Sequence, residues 1–393
     1  MATVEVAWPA ADNRIPREVF IDPELYDLEL QRLFRGPAWF LVAHESEIPR
    51  VGDYKRWTIG DMPIVIVRTG EDDVTVLLNS CAHRTTEVVT ATRGNAQSFT
   101  CIYHYWTYHM DGSLKSCPLQ EDFPADFDRA RYSMAQLRVA RRGGCVFASF
   151  SDDAPPLDEY LGELSTTLDT VLGPDLEYIG SHKYELDCNW KLYVENIYDG
   201  YHATILHRAF QLTKSRGTGV ITQPGFGHHI SRVLTKDNLE QIANVLRDPS
   251  TLQTLTKRET HADISGGADG FLGHLIVAWP TTVVHDVADS LGIRYIRPVS
   301  AGRSFVEMAY FARKSDTPDE RAQRIRQSSN LYGPEGMVAL EDTAVCERIQ
   351  AGSRTRGEHV VVKGTAREHP PYRSIDEANI RAFYKAYRAT MDL

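Results

Sequence analysis

The spacing of apolar and polar positions changes character along the chain, and the changes divide it. Residues 23 to 35 carry Leu25, Leu28, Leu30 and Leu33 at helical spacing behind Pro23. From about Ala38 to Phe150 short β-rich runs take over: Trp39 to Val42, Ile64 to Arg68, Val74 to Leu78 and Cys145 to Phe150. Turn clusters such as Gly70-Glu71-Asp72-Asp73 and Asp111-Gly112 punctuate them. Ser151-Asp152-Asp153-Ala154-Pro155-Pro156 reads as a linker, and helical spacing returns from Leu157 to Leu172. A strand-like run, Tyr178 to Leu186, then leads into a helix from Trp190 to Phe210. Strand candidates follow at Gly227 to Val233, Leu275 to Val287 and Ile293 to Ile296. Helices are expected at Pro318 to Leu331, Gly336 to Gln350 and Ile375 to Met391.

This order predicts an all-β domain over residues 38–152 and an α+β domain over 153–393, antiparallel strands covered by helices. Residues 1–37 are expected to belong with the second domain. A chain of 393 residues has room for both cores. With 42% hydrophobic and 24% charged residues it reads as an ordinary globular protein, and the net charge of −10 argues against nucleic acid or an anionic membrane as partner. No run of 18 apolar residues occurs, and Met1-Ala2-Thr3-Val4-Glu5 lacks the basic start and apolar core of a signal peptide. A cytoplasmic location is expected.

Six cysteines are scattered, and only Cys81 and Cys101 stand beside histidines at ligand spacing. They lie in Cys81-Ala82-His83-Arg84 and Cys101-Ile102-Tyr103-His104, both inside the β-rich stretch. Cys117, Cys145, Cys188 and Cys346 have no such partner and read as buried small apolar residues. One Cys and one His on each loop suit a [2Fe–2S] cluster of Rieske type, thiolates on one iron and imidazoles on the other. A zinc tetrahedron is the competing reading, although zinc fingers usually place two Cys on one knuckle and two His on the other.

A second constellation lies at His202 and His207. Five residues apart, they are separated by about 140° around a straight helix, so the helix must bulge or end between them for both rings to meet one ion. A carboxylate from elsewhere is the natural third ligand, giving the facial triad of non-haem iron oxygenases. A one-electron carrier upstream needs an acceptor, and an O₂-activating iron serves.

With these motifs in view, the chain resembles the large (α) subunit of the Rieske non-haem iron aromatic-ring-hydroxylating oxygenases. The resemblance rests on Cys81-x-His83-Arg84, Cys101-x-x-His104 with Trp106, and Asn189-Trp190-Lys191 running into Glu195-Asn196. It continues through Asp199-x-Tyr201-His202, His207, and Glu341-Asp342 with Glu347 and Gln350. Within the family the chain is most similar to the terephthalate and salicylate oxygenases, an impression to which Gly227-His228-His229 and Phe383 to Arg388 contribute. The resemblance implies a helix-grip-like second domain, His202, His207 and Asp342 as ligands of a mononuclear Fe(II), and Cys81, His83, Cys101 and His104 as ligands of the cluster. It also implies catalytic roles for Asn196 and Asp199. Asp199 would bridge His202 to His104 of a neighbouring copy in an α₃ or α₃β₃ ring, as a carboxylate that orients imidazoles and offers a bonded route for the electron. Either a helix-surface carboxylate or a partner for Lys191 is the bland alternative. Three positions depart from the family pattern: Ile102 stands where Pro is common, and Thr85 and Tyr105 where Gly is usual.

The implied activity adds O₂ to an aromatic ring. Gly217-Thr218-Gly219 is no dinucleotide fingerprint, so NAD(P)H oxidation is assigned to a separate reductase, with or without a ferredoxin. An aromatic carboxylate substrate calls for a buried arginine; Arg294 is the first candidate and Arg373 the second. His228 and His229 are candidates to line the pocket, with one of the two expected only to pack. The expected reaction is dioxygenation of a benzoate-like acid to a cis-dihydrodiol. The alternatives are a Rieske monooxygenase hydroxylating or O-demethylating an aromatic, and a non-catalytic iron–sulfur carrier.

Overall fold

The computed structural model describes residues 6–9, 13–207, 220–222, 226–232, 273–287, 290–355, 360–362 and 377–393. The chain forms two compact units, one of residues 34–157 and 172–174, the other of residues 1–33, 158–171 and 175–393.

The smaller unit is built from three small antiparallel sheets. Phe40–His44 pairs with the hairpin Arg138–Arg142 and Cys145–Ser149. Asp53–Ile59, Met62–Arg68, Val74–Leu78 and Arg93–Asn95 form a second sheet, and Ser98–Thr100, Thr107–His109 and Leu114–Ser116 a third. The expected runs at 39–42, 64–68, 74–78 and 145–150 fall on strands, but Asp53–Ile59 escaped notice. Its alternate buried positions are Asp53, Lys55, Trp57 and Ile59, so two of the four inward residues are charged. Lys55 Nζ is only 2.9 Å from Glu47 Oε2, which offsets the burial of both. The core of this unit gathers Val65, Val67, Leu77, Trp106, Tyr108 and Leu114 around Cys81 and Cys101.

In the larger unit we label the seven strands of the main sheet β1 (Leu176–Leu186), β2 (Val220–Thr222), β3 (His229–Arg232), β4 (His274–Ala278), β5 (Thr282–Val287), β6 (Ser290–Ser300) and β7 (Arg303–Arg313). All pairings are antiparallel, in the order β1-β7-β6-β5-β4-β3-β2. The run Leu275 to Val287, expected as one strand, is the hairpin β4–β5 turned at Trp279-Pro280-Thr281; proline has no N–H to carry a ladder onward. The expected helix Trp190 to Phe210 is two helices, α1 (Trp190–Tyr198) and α2 (Gly200–Leu206), and 208–210 lie outside the described residues. Likewise Leu157 to Leu172 divides into Leu157–Leu161 and Leu164–Val171, with Gly162 at φ +52° between them. The helices α3 (Pro318–Tyr332), α4 (Met337–Ser353) and α5 (Ala378–Met391) follow. Among the described residues no helix is long and apolar enough to cross a membrane.

Buried polar ties hold α1 in place. The helix Pro23–Glu29, capped by Asp22, delivers Glu29 into the core. There Glu29 meets Lys191 Nζ at 2.5 Å, Trp190 Nε1 at 2.8 Å and Tyr387 Oη at 2.6 Å. One carboxylate thus joins the N-terminal segment, α1 and α5, and removing Glu29 would leave the Lys191 ammonium buried without its counter-charge. From the other side, Gln350 of α4 accepts the N–H of Asn189, the residue that caps α1, at 2.7 Å. Asp342, Cys346 and Gln350 recur every four residues on α4 and are all buried, which sets the register of that helix against α1.

Candidate redox and metal centres

Two turns of the same build present the four candidate cluster residues. In each, the cysteine N–H donates to the carbonyl five residues on, Thr86 at 2.9 Å and Trp106 at 2.8 Å. Each cysteine carbonyl accepts from the N–H four residues on, Thr85 at 2.8 Å and Tyr105 at 3.0 Å. That fourth residue is left-handed in both turns, with φ +54° at Thr85 and +58° at Tyr105. Glycine adopts this conformation freely, which accounts for its use at these two positions; Thr and Tyr carry strain of roughly 1 kcal/mol each.

Cys81 and Cys101 are buried, while His83 and His104 are half-buried with ring centroids 4.6 Å apart. His83 lies flat on Trp106 at 4.8 Å, and its Nδ1 is buried without a hydrogen-bond partner. Tyr108 Oη is 3.1 Å from Cys81 Sγ and accepts the Ala82 N–H at 3.0 Å. Burial, reinforced by Cys81, pushes the Tyr108 phenol far up, so it keeps its proton and donates to the sulfur. Two sulfurs and an orphaned imidazole nitrogen converging from twin turns fit a Rieske cluster.

In the larger unit His202 Nε2, His207 Nε2 and Asp342 Oδ1 form a near-equilateral triangle with edges of 3.2, 3.2 and 3.4 Å. Neighbouring ligands on a metal with bonds of about 2.1 Å lie about 3.0 Å apart in an octahedron and about 3.4 Å in a tetrahedron. Asp342 Oδ1 is buried without a hydrogen-bond partner although two imidazole nitrogens flank it. The atoms converge on a common centre, and the residues fit an ion of that size.

The helix geometry answers the 140° problem directly. α2 ends at Leu206, and His207 has extended backbone, φ −74° and ψ 113°, which swings its ring back toward His202. The break at the other end is Asp199, φ −82° and ψ 93°, which closes α1 and caps α2. Its Oδ1 accepts the N–H of Tyr201 at 2.7 Å, and its Oδ2 lies 3.2 Å from His202 Nδ1. Lys191 is engaged by Glu29, so the alternative of a Lys191–Asp199 pair does not hold. Asn196 Nδ2 is 3.4 Å from His202 Nε2, and its Oδ1 is buried and unpartnered.

Charges in this cluster lean on one another. Burial alone would lower His202, but the carboxylates of Asp199 and Asp342 outweigh it and lift the imidazole to about 9. Burial raises the Asp342 carboxyl, and the two histidines more than reverse that, leaving it at about 2. Glu341, beside Asp342, reaches His207 Nδ1 at 2.9 Å.

Arg294, on β6, is 3% exposed, and among the described residues no carboxylate pairs with it. Its Nε has no partner, its Nη1 is 3.5 Å from Tyr193 Oη, and its guanidinium lies over the Tyr332 ring at 4.8 Å. Burial works against its charge, while Tyr193, Tyr184, Tyr332 and Asp342 act to keep it. Arg297, three residues on, is half-buried over the Phe305 ring. The tyrosines went unnoticed in the sequence; Tyr193, one helical turn before Asn196, was the available signal. Strand register puts His229 in the row His229–Val277–Val283–Arg294–Met308–His182, on one face of the sheet. His228 is buried with both ring nitrogens engaged by backbone: one accepts the Trp279 N–H at 3.0 Å and the other bonds the Tyr160 carbonyl at 2.9 Å, at the β4–β5 turn. Arg373 lies outside the described residues.

A cluster-type unit joined to a unit with a His₂-carboxylate triangle defines the Rieske non-haem iron oxygenases as a class. Residues 38–131 match the model of the Rieske [2Fe–2S] domain, and residues 174–393 match that of the ring-hydroxylating alpha subunit catalytic domain. The chain belongs to the ring-hydroxylating α-subunit family, whose enzymes carry a Rieske [2Fe–2S] cluster and a mononuclear iron. It is 33% identical to the anthranilate 1,2-dioxygenase large subunit of Burkholderia cepacia, covering 98% of this chain and 96% of that protein. It is also 33% identical to the terephthalate 1,2-dioxygenase terminal oxygenase subunit alpha 2 of Comamonas sp, covering 98% and 97%. Among solved structures, naphthalene 1,2-dioxygenase superposes with a TM-score of 0.79 at 21% identity, covering 97% of this chain and 92% of that one. A quaternary ammonium Rieske monooxygenase reaches 0.77 at 21% identity, covering 97% of each. At that identity these two speak to the fold alone.

Proposed function

We propose that this chain is the terminal oxygenase of a dioxygenase system that converts a benzoate-like aromatic carboxylate to its cis-dihydrodiol. The observation that carries the substrate class is Arg294, a buried guanidinium without a carboxylate partner among the described residues. An isolated buried charge is costly to keep. A carboxylate on the substrate would satisfy it in bidentate fashion and fix the ring against Tyr193 and Tyr332. The two relatives named above act on aromatic acids, in agreement with this reading.

In this account His202, His207 and Asp342 hold the mononuclear iron, and Cys81, His83, Cys101 and His104 the cluster. Bound there, the cluster would supply electrons one at a time and the iron would supply the site for O₂ chemistry beside the arene. The electrons would come from a separate NAD(P)H-dependent reductase. Asp199 orients His202 through Nδ1 and, in a ring of three copies, reaches His104 of the next copy through the same carboxylate. Its partly exposed side chain leaves that approach open.

Arg294→Leu tests the anchor. Losing one charge-assisted pair of bonds, about 1.5–3 kcal/mol, should raise KM for aryl carboxylates about 10- to 100-fold and leave neutral arenes little changed. Equal effects on both would remove Arg294 from the binding site. A second reading, single hydroxylation, is favoured by the large oxygenase component of salicylate 5-hydroxylase from Ralstonia sp, 29% identical over 98% of this chain. Labelling with ¹⁸O₂ separates the two: two labelled oxygens in the product support dioxygenation, and one would establish the monooxygenase.

A further inference from the structure

Resting on the reading of His202, His207 and Asp342 as iron ligands, the geometry points to Glu341 as a positioning residue that secures the iron by holding His207 from behind. Helix α4 grips one imidazole with two consecutive carboxylates. Asp342 Oδ1 is 3.2 Å from His207 Nε2, and Glu341 Oε2 is 2.9 Å from His207 Nδ1. Successive residues on a helix point about 100° apart, so only a ring lying across the helix surface can be reached by both. His207 is such a ring, set on extended backbone just past the end of α2 and therefore not oriented by helical packing.

The chemistry gives the contact a direction. A histidine that ligates through Nε2 must carry its proton on Nδ1, and that proton is then donated to Glu341. Asp199 Oδ2 stands 3.2 Å behind His202 Nδ1, without the hydrogen bond that Glu341 makes to His207. The two carboxylates differ in what else they do. Asp199 also caps a helix and is the proposed bridge to the neighbouring cluster, whereas the hydrogen bond of Glu341 among the described residues is to His207. Loss of Asp199 should therefore interrupt electron transfer, and loss of Glu341 should loosen the metal.

The test is titration of the holoenzyme after its mononuclear iron has been chelated away, with the Rieske cluster kept intact and checked by its electron paramagnetic resonance. Fe(II) affinity is measured directly, and Co(II) is bound in parallel for its visible absorption. Glu341→Ala is expected to weaken Fe(II) binding about 10- to 100-fold and to alter the Co(II) spectrum. Glu341→Gln should restore most of both, because its amide oxygen accepts the same Nδ1–H. The side chain is 32% exposed, so both variants should keep the native thermal midpoint. Native Fe(II) affinity and an unchanged Co(II) spectrum in Glu341→Ala would overturn the inference. So would a Glu341→Gln as weak as Glu341→Ala. His207→Ala serves as the control: if it too keeps native Fe(II) affinity, the ligand reading itself is what fails.

Discussion

The two metal-bearing units solve the same problem at different scales. The smaller one takes its four candidate ligands from two local turns, in which Cys81 and Cys101 are fixed by hydrogen bonds to residues four and five positions on. The larger one closes its triangle with Asp342, 135 residues after His207. There the geometry depends on Glu29, Gln350 and Asn189 holding separate helices in register. A centre made of local turns tolerates change elsewhere in the fold; one made of distant helices transmits it. Such a centre also puts its supporting carboxylates within reach of other jobs, as Asp199 illustrates.

The largest effect that sharpens this contrast is expected at Asp199. In Asp199→Asn the amide oxygen can still accept the Tyr201 N–H and His202, His207 and Asp342 all remain, so both metal centres should stay loaded while turnover falls at least about 100-fold. Metal analysis beside steady-state oxygen uptake reads both quantities. Turnover within a few-fold of wild type would show that the carboxylate is not the route between the centres.

Acidification should separate the units next. His228 and His229 are buried and neutral, with burial as the main cause holding them down at about 4 and about 3. His285 is lowered in the same way, whereas the smaller unit has one comparably buried imidazole, His44. In the unfolded chain these rings bind protons near pH 6.5, so below that pH the unfolded state takes up more protons and stability falls. For His228 alone the loss by pH 4 is on the order of 3 kcal/mol. Calorimetry between pH 7 and pH 5 should show the larger unit's transition moving down first. A pH-independent transition would contradict the burial of these rings.

The smallest effect concerns the twin turns. Thr85→Gly and Tyr105→Gly should each raise stability by about 0.5–1 kcal/mol, because both positions have positive φ. An increase in thermal midpoint checks this; a decrease would mean that these side chains support the unit in another way.

How much could be read from the chain alone follows the same division. The local cluster motif was visible, including the departures at Thr85 and Tyr105, and the φ angles there show why glycine is the usual residue. His202 and His207 could be paired only by supposing that the helix ends between them, and it ends at Leu206. Asp342 could not be told from Glu341 by spacing, since both are carboxylates on the same turn and only burial separates them. Asp53–Ile59 hid because its inward residues include a charged pair member, and the tyrosines around Arg294 hid because a tyrosine on a helix is usually packing. Side chains that interact across long stretches of sequence leave little periodic signal.

One single-turnover experiment bears most directly on the account. Chemically reduced protein, free of reductase, is mixed with oxygenated buffer and an aromatic carboxylate, and cluster absorbance, oxygen and product are followed together. The account predicts that the cluster reoxidises in step with oxygen uptake and with formation of the hydroxylated acid. A cluster that stays reduced, or reoxidises at the same rate with no product once the mononuclear iron is loaded, would contradict it.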